Sequence, residues 1–232
     1  MTAGQSRRLV ASARLGLRYR SEIRLYRKYR RFTMVPLPQF IDNLRLCRLI
    51  RDVDGAIVEC GSWRGGMSAA MAELLARGSQ QPRTSVLFDS FEGLPDAQEI
   101  DGPAALAWQA DSASPIFFQN CTASEEEART AMRRSGTSTF RIVKGWFSET
   151  VPRYAEAKPR IALLRLDGDW YESTMTCLGG LFSLVVHGGI IIIDDYGTWD
   201  GCTRAVHDYL STSGAHEALR QSALGVHYLI KR

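Results

Sequence analysis

Two acidic pairs carry the clearest chemical potential in this chain. Asp167 and Asp169 flank Gly168 directly after the apolar run 161–166, and Asp194 and Asp195 follow four consecutive isoleucines at 190–193. If the two runs are neighbouring strands, three or four carboxylates share one cleft, and their mutual repulsion raises their pKa values unless a cation neutralises them. All-oxygen ligation selects a hard divalent ion, Mg²⁺, Mn²⁺ or Ca²⁺, over zinc. Mg²⁺ is the default because it keeps waters that a substrate hydroxyl can replace. The competing reading is that these acids cap helices and pair with arginines. His187, in a turn-like His-Gly-Gly, and His207, in a helical stretch, are alternative proton acceptors, although a lone histidine in such a place is more often structural.

A second group of residues points to a nucleotide-like ligand. Glu59, Gly61, Ser62, Gly65 and Gly66 give the pattern ExGxxxGG, which differs from the GxGxxG of a dinucleotide loop. A carboxylate at that strand end repels a pyrophosphate but suits a cofactor bearing sulfonium and ammonium groups, and glycines let the backbone approach it closely. The alternative is a plain glycine turn with Glu59 exposed or salt-bridged. Asp89 ends the next apolar run and is placed to accept both hydroxyl hydrogen bonds of a ribose, although a strand-end Asp also caps turns.

The elements that must position these residues follow from apolar periodicity. Strands are expected at 56–60, 85–88, 140–144, 161–166, 190–193 and 225–230, and helices at 40–50, 67–77, 125–134, 174–186 and 202–210. Asp42, Asn43, Arg45 and Arg48 fall between the apolar positions of the first helix. Residues 92–114 read as a long loop or lid, and 145–147 as the start of another loop. Continuous apolar strands alternating with helices indicate an α/β fold with a doubly wound, mostly parallel sheet of Rossmann-like type, an antiparallel terminal strand and an N-terminal helical extension. The chemical residues all lie just past strand ends, where such sheets form their ligand crevice.

The chain has 232 residues, enough for one catalytic domain, expected over 35–232 and preceded by a basic extension, 1–34. Five cysteines without a CxxC pair argue against structural zinc and against a disulfide framework, which fits a reducing, cytoplasmic setting. No apolar run reaches ~18 residues and no secretory signal is evident, so a soluble protein is expected. Residues 1–34 hold ten Arg or Lys against Glu22 alone, a balance of +9 that leaves −5 for the rest of a chain whose total is +4. Leu9, Leu15, Ile23, Leu25, Tyr26 and Tyr29 interleave with those cations, as in a surface or dimer-forming helix with a basic solvated face. A homo-oligomer is expected and nucleic acid is not. Contact with an anionic membrane surface, or disorder, are the lesser readings.

The segments IVECGSWRGG, FDSFEGLPD, KGWFSETVP, LRLDGDWYEST and IIIIDDYGTWDGC, in that order, resemble the macrocin O-methyltransferase family, whose members methylate sugar hydroxyls in macrolide and aminocoumarin antibiotics. The likeness runs from about Met34 to the C-terminus and implies a class I fold with S-adenosylmethionine as methyl donor. It implies Mg²⁺ held at Asp167, Asp194 and Asp195, with Asp169 as general base. Glu59, Gly61 and Ser62 would lie near the methionine portion, Asp89 and Ser90 near the ribose, and Gly145 with Trp146 near the adenine. Cys60 stands where the family pattern suggests Thr. The implied acceptor is a sugar or glycosylated natural product, with Trp63, Trp108, Trp170 and Trp199 as candidate stacking faces. A metal-dependent hydrolase and a catalytically silent cofactor-binding scaffold are the alternative classes.

Overall fold

In the computed structural model, residues 18–77 and 83–232 are described. Arg7, Arg8, Arg14, Leu9 and Leu15 of the basic extension lie outside the described residues. The order of elements is α1 (Arg20–Tyr29), α2 (Leu37–Leu49), β1 (Ala56–Cys60), α3 (Gly66–Ala76), β2 (Ser85–Asp89), α4 (Pro103–Ala110), α5 (Glu125–Arg134), β3 (Phe140–Lys144), α6 (Phe147–Ala155), β4 (Ile161–Leu166), α7 (Tyr171–Leu181), β5 (Val185–Ile193), α8 (Asp200–Thr212), β6 (Arg220–Gln221) and β7 (His227–Ile230). Short 3₁₀ turns follow α1, precede α4 and follow α7.

The strands form one sheet in the order β3-β2-β1-β4-β5-β7-β6. Pairs from β3 through β5 are parallel, whereas β7 runs antiparallel to both β5 and β6. Strand order reverses between β1 and β4, so the crevice of such a sheet opens there. Alternation along each strand sorts side chains onto two packed faces. Ile57, Leu87, Leu163, Ile190 and Ile192 meet α1, α2, α3 and α5; Val58, Phe88, Leu164, Ile191 and Ile193 meet α6, α7 and α8.

Four expectations need correction. Residues 92–114 are not one long loop: a 3₁₀ turn (Glu99–Asp101) and α4 occupy its centre. Asp101 pins this segment, accepting from the Gln98 amide at 2.8 Å and from the Tyr171 amide that opens α7 at 2.7 Å. The stretch after β3 is a helix, α6, despite Pro152 within it. Burial of Val151 and Tyr154, with Tyr154 edge-on to Phe88 at 5.2 Å, outweighs the hydrogen bond that Pro152 cannot donate. β5 begins at Val185, so His187 sits inside the strand and the helix before it ends at Leu181. On α2, Asp42 and Asn43 are buried, 2% and 0% exposed, where the apolar spacing had placed polar residues outward. Asp42 takes up the Leu224 amide and the Ser222 hydroxyl, and Asn43 faces the acidic cluster.

The described part of the basic extension packs on the domain. Leu25 and Tyr29 are fully buried beside α3, and the Phe32 backbone touches Gly66 so closely that a Cβ there would meet the Phe32 carbonyl oxygen at 2.5 Å. Among the described residues, no helix is long and apolar enough to cross a membrane. All five cysteines are free.

Candidate active site

The parallel strands deliver their carboxyl ends to one cavity of about 580 Å³. Just past the ends of β1 and β4 the backbones crowd together at Gly61: its φ is +85°, and a Cβ there would lie 1.7 Å from the Asp167 carbonyl oxygen. Only glycine fits that position, so the loop after β1 and the acidic loop after β4 touch through backbone.

Arg165, which the sequence reading passed over, organises this floor. It occupies an inward-facing position of β4, fully buried, on the same sheet face as Glu59 of β1. Its Nη1 donates to Glu59 Oε1 at 2.7 Å and to Asp167 Oδ2 at 2.6 Å, and its Nη2 lies 2.7 Å from Asp194 Oδ1. Its Nε donates to Asn43 Oδ1 at 3.0 Å. Burial alone would disfavour the cation, but Asp167, Asp194 and Glu59 outweigh it and hold the guanidinium charged. The signal was present in the sequence: a charge inside a buried strand must find partners, and the acids at 59, 167 and 194 supply them.

Glu59 is 1% exposed and engaged on both oxygens, with Oε1 on Arg165 and Oε2 accepting from the Ser68 amide at 3.0 Å and the Ser68 hydroxyl. Burial pushes its pKa up, opposed by Arg165 and Ser68. It therefore ties β1 to the first turn of α3 beneath the cavity. Asp89 also uses both oxygens, accepting from the Trp63 amide at 2.6 Å and the Phe91 amide at 2.7 Å. Trp63 and Phe91 hold left-handed φ values of 46° and 59°, strain that those two bonds help to offset. Ser90 bonds the Gly93 carbonyl at 3.0 Å, and the buried Ser62 hydroxyl has no partner within the protein. Gly145 and Trp146 line the same cavity at the start of α6.

Asp167, Asp194 and Asp195 each present one carboxylate oxygen, all within 4.8 Å of one another. Arg165 also holds one oxygen each of Asp167 and Asp194, and Asp195 Oδ2 accepts the Asp169 amide at 3.0 Å. Burial and mutual repulsion push Asp195 well above the usual carboxylate range, and burial does the same to Asp167 against the pull of Arg165. An all-oxygen donor set, short of positive charge, fits a hard divalent cation. Asp169 sits beside it with φ +57°, its Oδ1 accepting from Trp199 Nε1 at 2.8 Å. Burial lifts its carboxyl up to about 6, against the Trp199 bond and with Asp194 adding to the rise.

Trp170, Trp199 and Trp108 form an edge-to-face cluster on one wall, with ring centroids 5.2–6.1 Å apart. Trp63 lies apart, its Nε1 donating to the Thr122 carbonyl and Arg64 stacked over its ring. Neither His187 nor His207 lines the cavity: His187 is exposed near the opposite end of β5, and His207 pairs with the Tyr196 hydroxyl at 2.9 Å.

Comparison with known proteins agrees with this geometry. Residues 31–228 match the family model described as Macrocin-O-methyltransferase (TylF). The chain is 36% identical over 199 residues to 8-demethyl-8-(2,3-dimethoxy-alpha-L-rhamnosyl)-tetracenomycin-C 4'-O-methyltransferase of Streptomyces olivaceus, covering 82% of this chain and 71% of that one. The solved structure of the O-methyltransferase NovP superposes with a TM-score of 0.72 at 31% identity, covering 86% of this chain and 82% of that one. The SAH-bound methyltransferase PaMTH1 of Podospora anserina shares the fold at a TM-score of 0.55 and 13% identity, over 100% of this chain and 97% of that one. With its seven-stranded sheet of class I Rossmann-like methyltransferase type, the chain belongs to the macrocin-O-methyltransferase family.

Proposed function

We propose that this protein transfers a methyl group from S-adenosylmethionine to a hydroxyl of a sugar or glycosylated small molecule, with Mg²⁺ at Asp167, Asp194 and Asp195. The observation that carries this reading is the meeting of the Glu59–Gly61–Ser62 loop, Asp89 and the acidic cluster in one cavity at the strand-order reversal. When bound, S-adenosylmethionine supplies the electrophilic methyl and Mg²⁺ the charge that acidifies the acceptor hydroxyl.

The chain's own residues divide the remaining work. Ser62 and Ser90 would offer polar contacts along the donor, Asp89 would hold the ribose, and Gly145 and Trp146 would border the adenine. The unpartnered Ser62 hydroxyl supports a polar ligand at that wall. Arg165 keeps one oxygen of Asp167 and one of Asp194 fixed, which holds both carboxylates beside Asp195. Asp169, oriented by Trp199, is placed to take the acceptor hydroxyl's proton, so that the oxygen would bond the donor's methyl carbon as S-adenosylhomocysteine leaves. The tryptophan wall shields this centre from water and offers faces to a sugar ring.

The test is transfer of a labelled methyl group to a panel of glycosylated natural products and simple glycans, run with S-adenosylmethionine calorimetry. Donor binding with label appearing on a sugar oxygen is expected. Absence of donor binding would sink the reading, and binding without transfer to any hydroxyl acceptor would leave a silent scaffold.

A further inference from the structure

The basic face of α1 is unexplained by the catalytic site. Arg20, Arg24, Arg27 and Arg31 recur at intervals of four, three and four, which places them in one row along the helix and the 3₁₀ turn that follows it. All four are exposed, whereas Glu22, Leu25 and Tyr29 on the opposite face are at most 1% exposed. Arg27, Lys28, Arg30 and Arg31 share a shallow cleft with Arg134 from the end of α5.

Among the described residues, nothing neutralises this row. Glu22, the extension's single acid, is buried against Arg48 at 2.9 Å, and Glu73 is taken by Lys28 and Arg77. Among the described residues, Arg20, Arg24, Arg27, Arg30, Arg31 and Arg134 form no ion pair with a carboxylate of this chain. Residues 1–17 and 78–82 contain no Asp or Glu at all, and the former add Arg7, Arg8 and Arg14. Like charges held this close repel one another, and an external polyanion removes that cost.

We propose that this face docks the protein on an anionic lipid bilayer. A row of guanidinium groups about 16 Å long, at ~1.5 Å per residue, meets all its partners at once only where anions are spread over a surface, as headgroups are. The apolar side of α1 is committed to the core, so attachment is by charge and not by insertion. The basic segment 1–34 against an acidic remainder, +9 against −5, gives the molecule a charge asymmetry that orients it on such a surface. The same stretch of chain runs on into the cavity wall at Phe32, Met34 and Pro36, so docking fixes how the site sits relative to the bilayer. Ile116 and Phe118, 59% and 48% exposed, are apolar groups lining the cavity that suit an acceptor drawn from lipid.

The experiment is co-sedimentation of the full chain with phosphatidylcholine vesicles with or without 30% phosphatidylglycerol, at low and high NaCl. Binding to the anionic vesicles alone, lost at high salt, is expected. Each cation near such a surface contributes about fivefold. Replacing Arg20, Arg24, Arg27 and Arg31 together by Gln should therefore weaken binding more than a hundredfold, while Lys at all four positions should retain it. If the Gln variant fails to fold, the Lys variant and the salt dependence still decide. Equal uptake by neutral vesicles, no uptake at low salt, or undiminished binding by a folded Gln variant overturns the proposal. Preference for duplex DNA at equal salt would reassign the face to nucleic acid, and salt-sensitive self-association without vesicle binding would reassign it to a second copy.

Discussion

Arg165 and Asp169 make the case at the scale of single residues. Arg165 spans three carboxylates with one planar fork, a task a point charge cannot repeat. Arg165→Lys keeps the charge but loses the fork, so Mg²⁺ or Mn²⁺ affinity measured by calorimetry should fall roughly ten- to a hundredfold, the scale of a lost partner of a metal ligand. Unchanged affinity would reduce Arg165 to a counter-charge. Asp169→Asn and Asp194→Asn should part company. The first should keep metal and donor binding yet lose on the order of 10²–10⁴-fold in kcat, the usual worth of a positioned base. The second should lose metal affinity and turnover together, with partial rescue at high Mg²⁺, because the oxygen stays and one charge goes. Loss of metal binding by the Asp169 variant would make that residue a ligand instead. The acids themselves were legible because each follows an unmistakable apolar strand. In the sequence Arg165 shows only as a charge inside a buried strand, and its pairing with Asn43 was not legible, since that requires knowing which strand face and which helix share the space above Glu59.

At the scale of elements, the strands were readable where burial on both faces leaves an uninterrupted apolar run, as in β2 and the four isoleucines of β5. Elements decided by tertiary contact were not. α6 survives Pro152 through Val151, which packs so tightly on Gly180 of α7 that a Cβ there would sit 2.3 Å from Val151 Cγ1. α4 lies in a segment rich in turn formers and is fixed by Asp101, which reaches the start of α7 across 70 residues of chain. The junction of α1 with α3 is another long-range device. Glu73 accepts from Lys28 Nζ at 2.6 Å and from the Tyr29 hydroxyl at 2.5 Å, and it pairs with Arg77. Burial pushes Glu73 up, but these bonds more than offset it and its pKa in the folded state is lowered. A carboxyl depressed by folding stabilises above its unfolded value, about 4.3, and that contribution is lost as pH falls through the lower folded value. Glu73→Gln should therefore lower Tm at neutral pH and shallow the loss of stability between about pH 5 and 3. Parallel Tm-against-pH curves for the two proteins would show that the junction does not depend on the charge.

For the molecule as a whole, the acidic cluster is also a joint. Glu59 comes from β1, Arg165 and Asp167 from β4 and its loop, and Asp194 and Asp195 from the end of β5, so three neighbouring strands meet there. Counting Asp169, five carboxyl groups face one guanidinium, an excess of acid whose mutual repulsion, with burial, raises Asp167 and Asp195 and opposes compaction of the strand ends. A divalent cation bound as proposed at Asp167, Asp194 and Asp195 would relieve that repulsion only in the folded state, because the unfolded chain does not hold the three oxygens together. Mass action then gives about 2.7 kcal/mol at a Mg²⁺ concentration a hundred times its Kd. For a domain of this size that corresponds to a rise in Tm of roughly 5–10 °C over the protein in chelator. NaCl at matched ionic strength should not reproduce it, since screening acts weakly on buried groups. Asp194→Asn should need about tenfold more Mg²⁺ to reach half of the rise, whereas Asp169→Asn should follow the wild-type titration. A melting temperature indifferent to Mg²⁺, Mn²⁺ and Ca²⁺ alike would remove the metal from this site and leave Arg165 as the cluster's counter-ion.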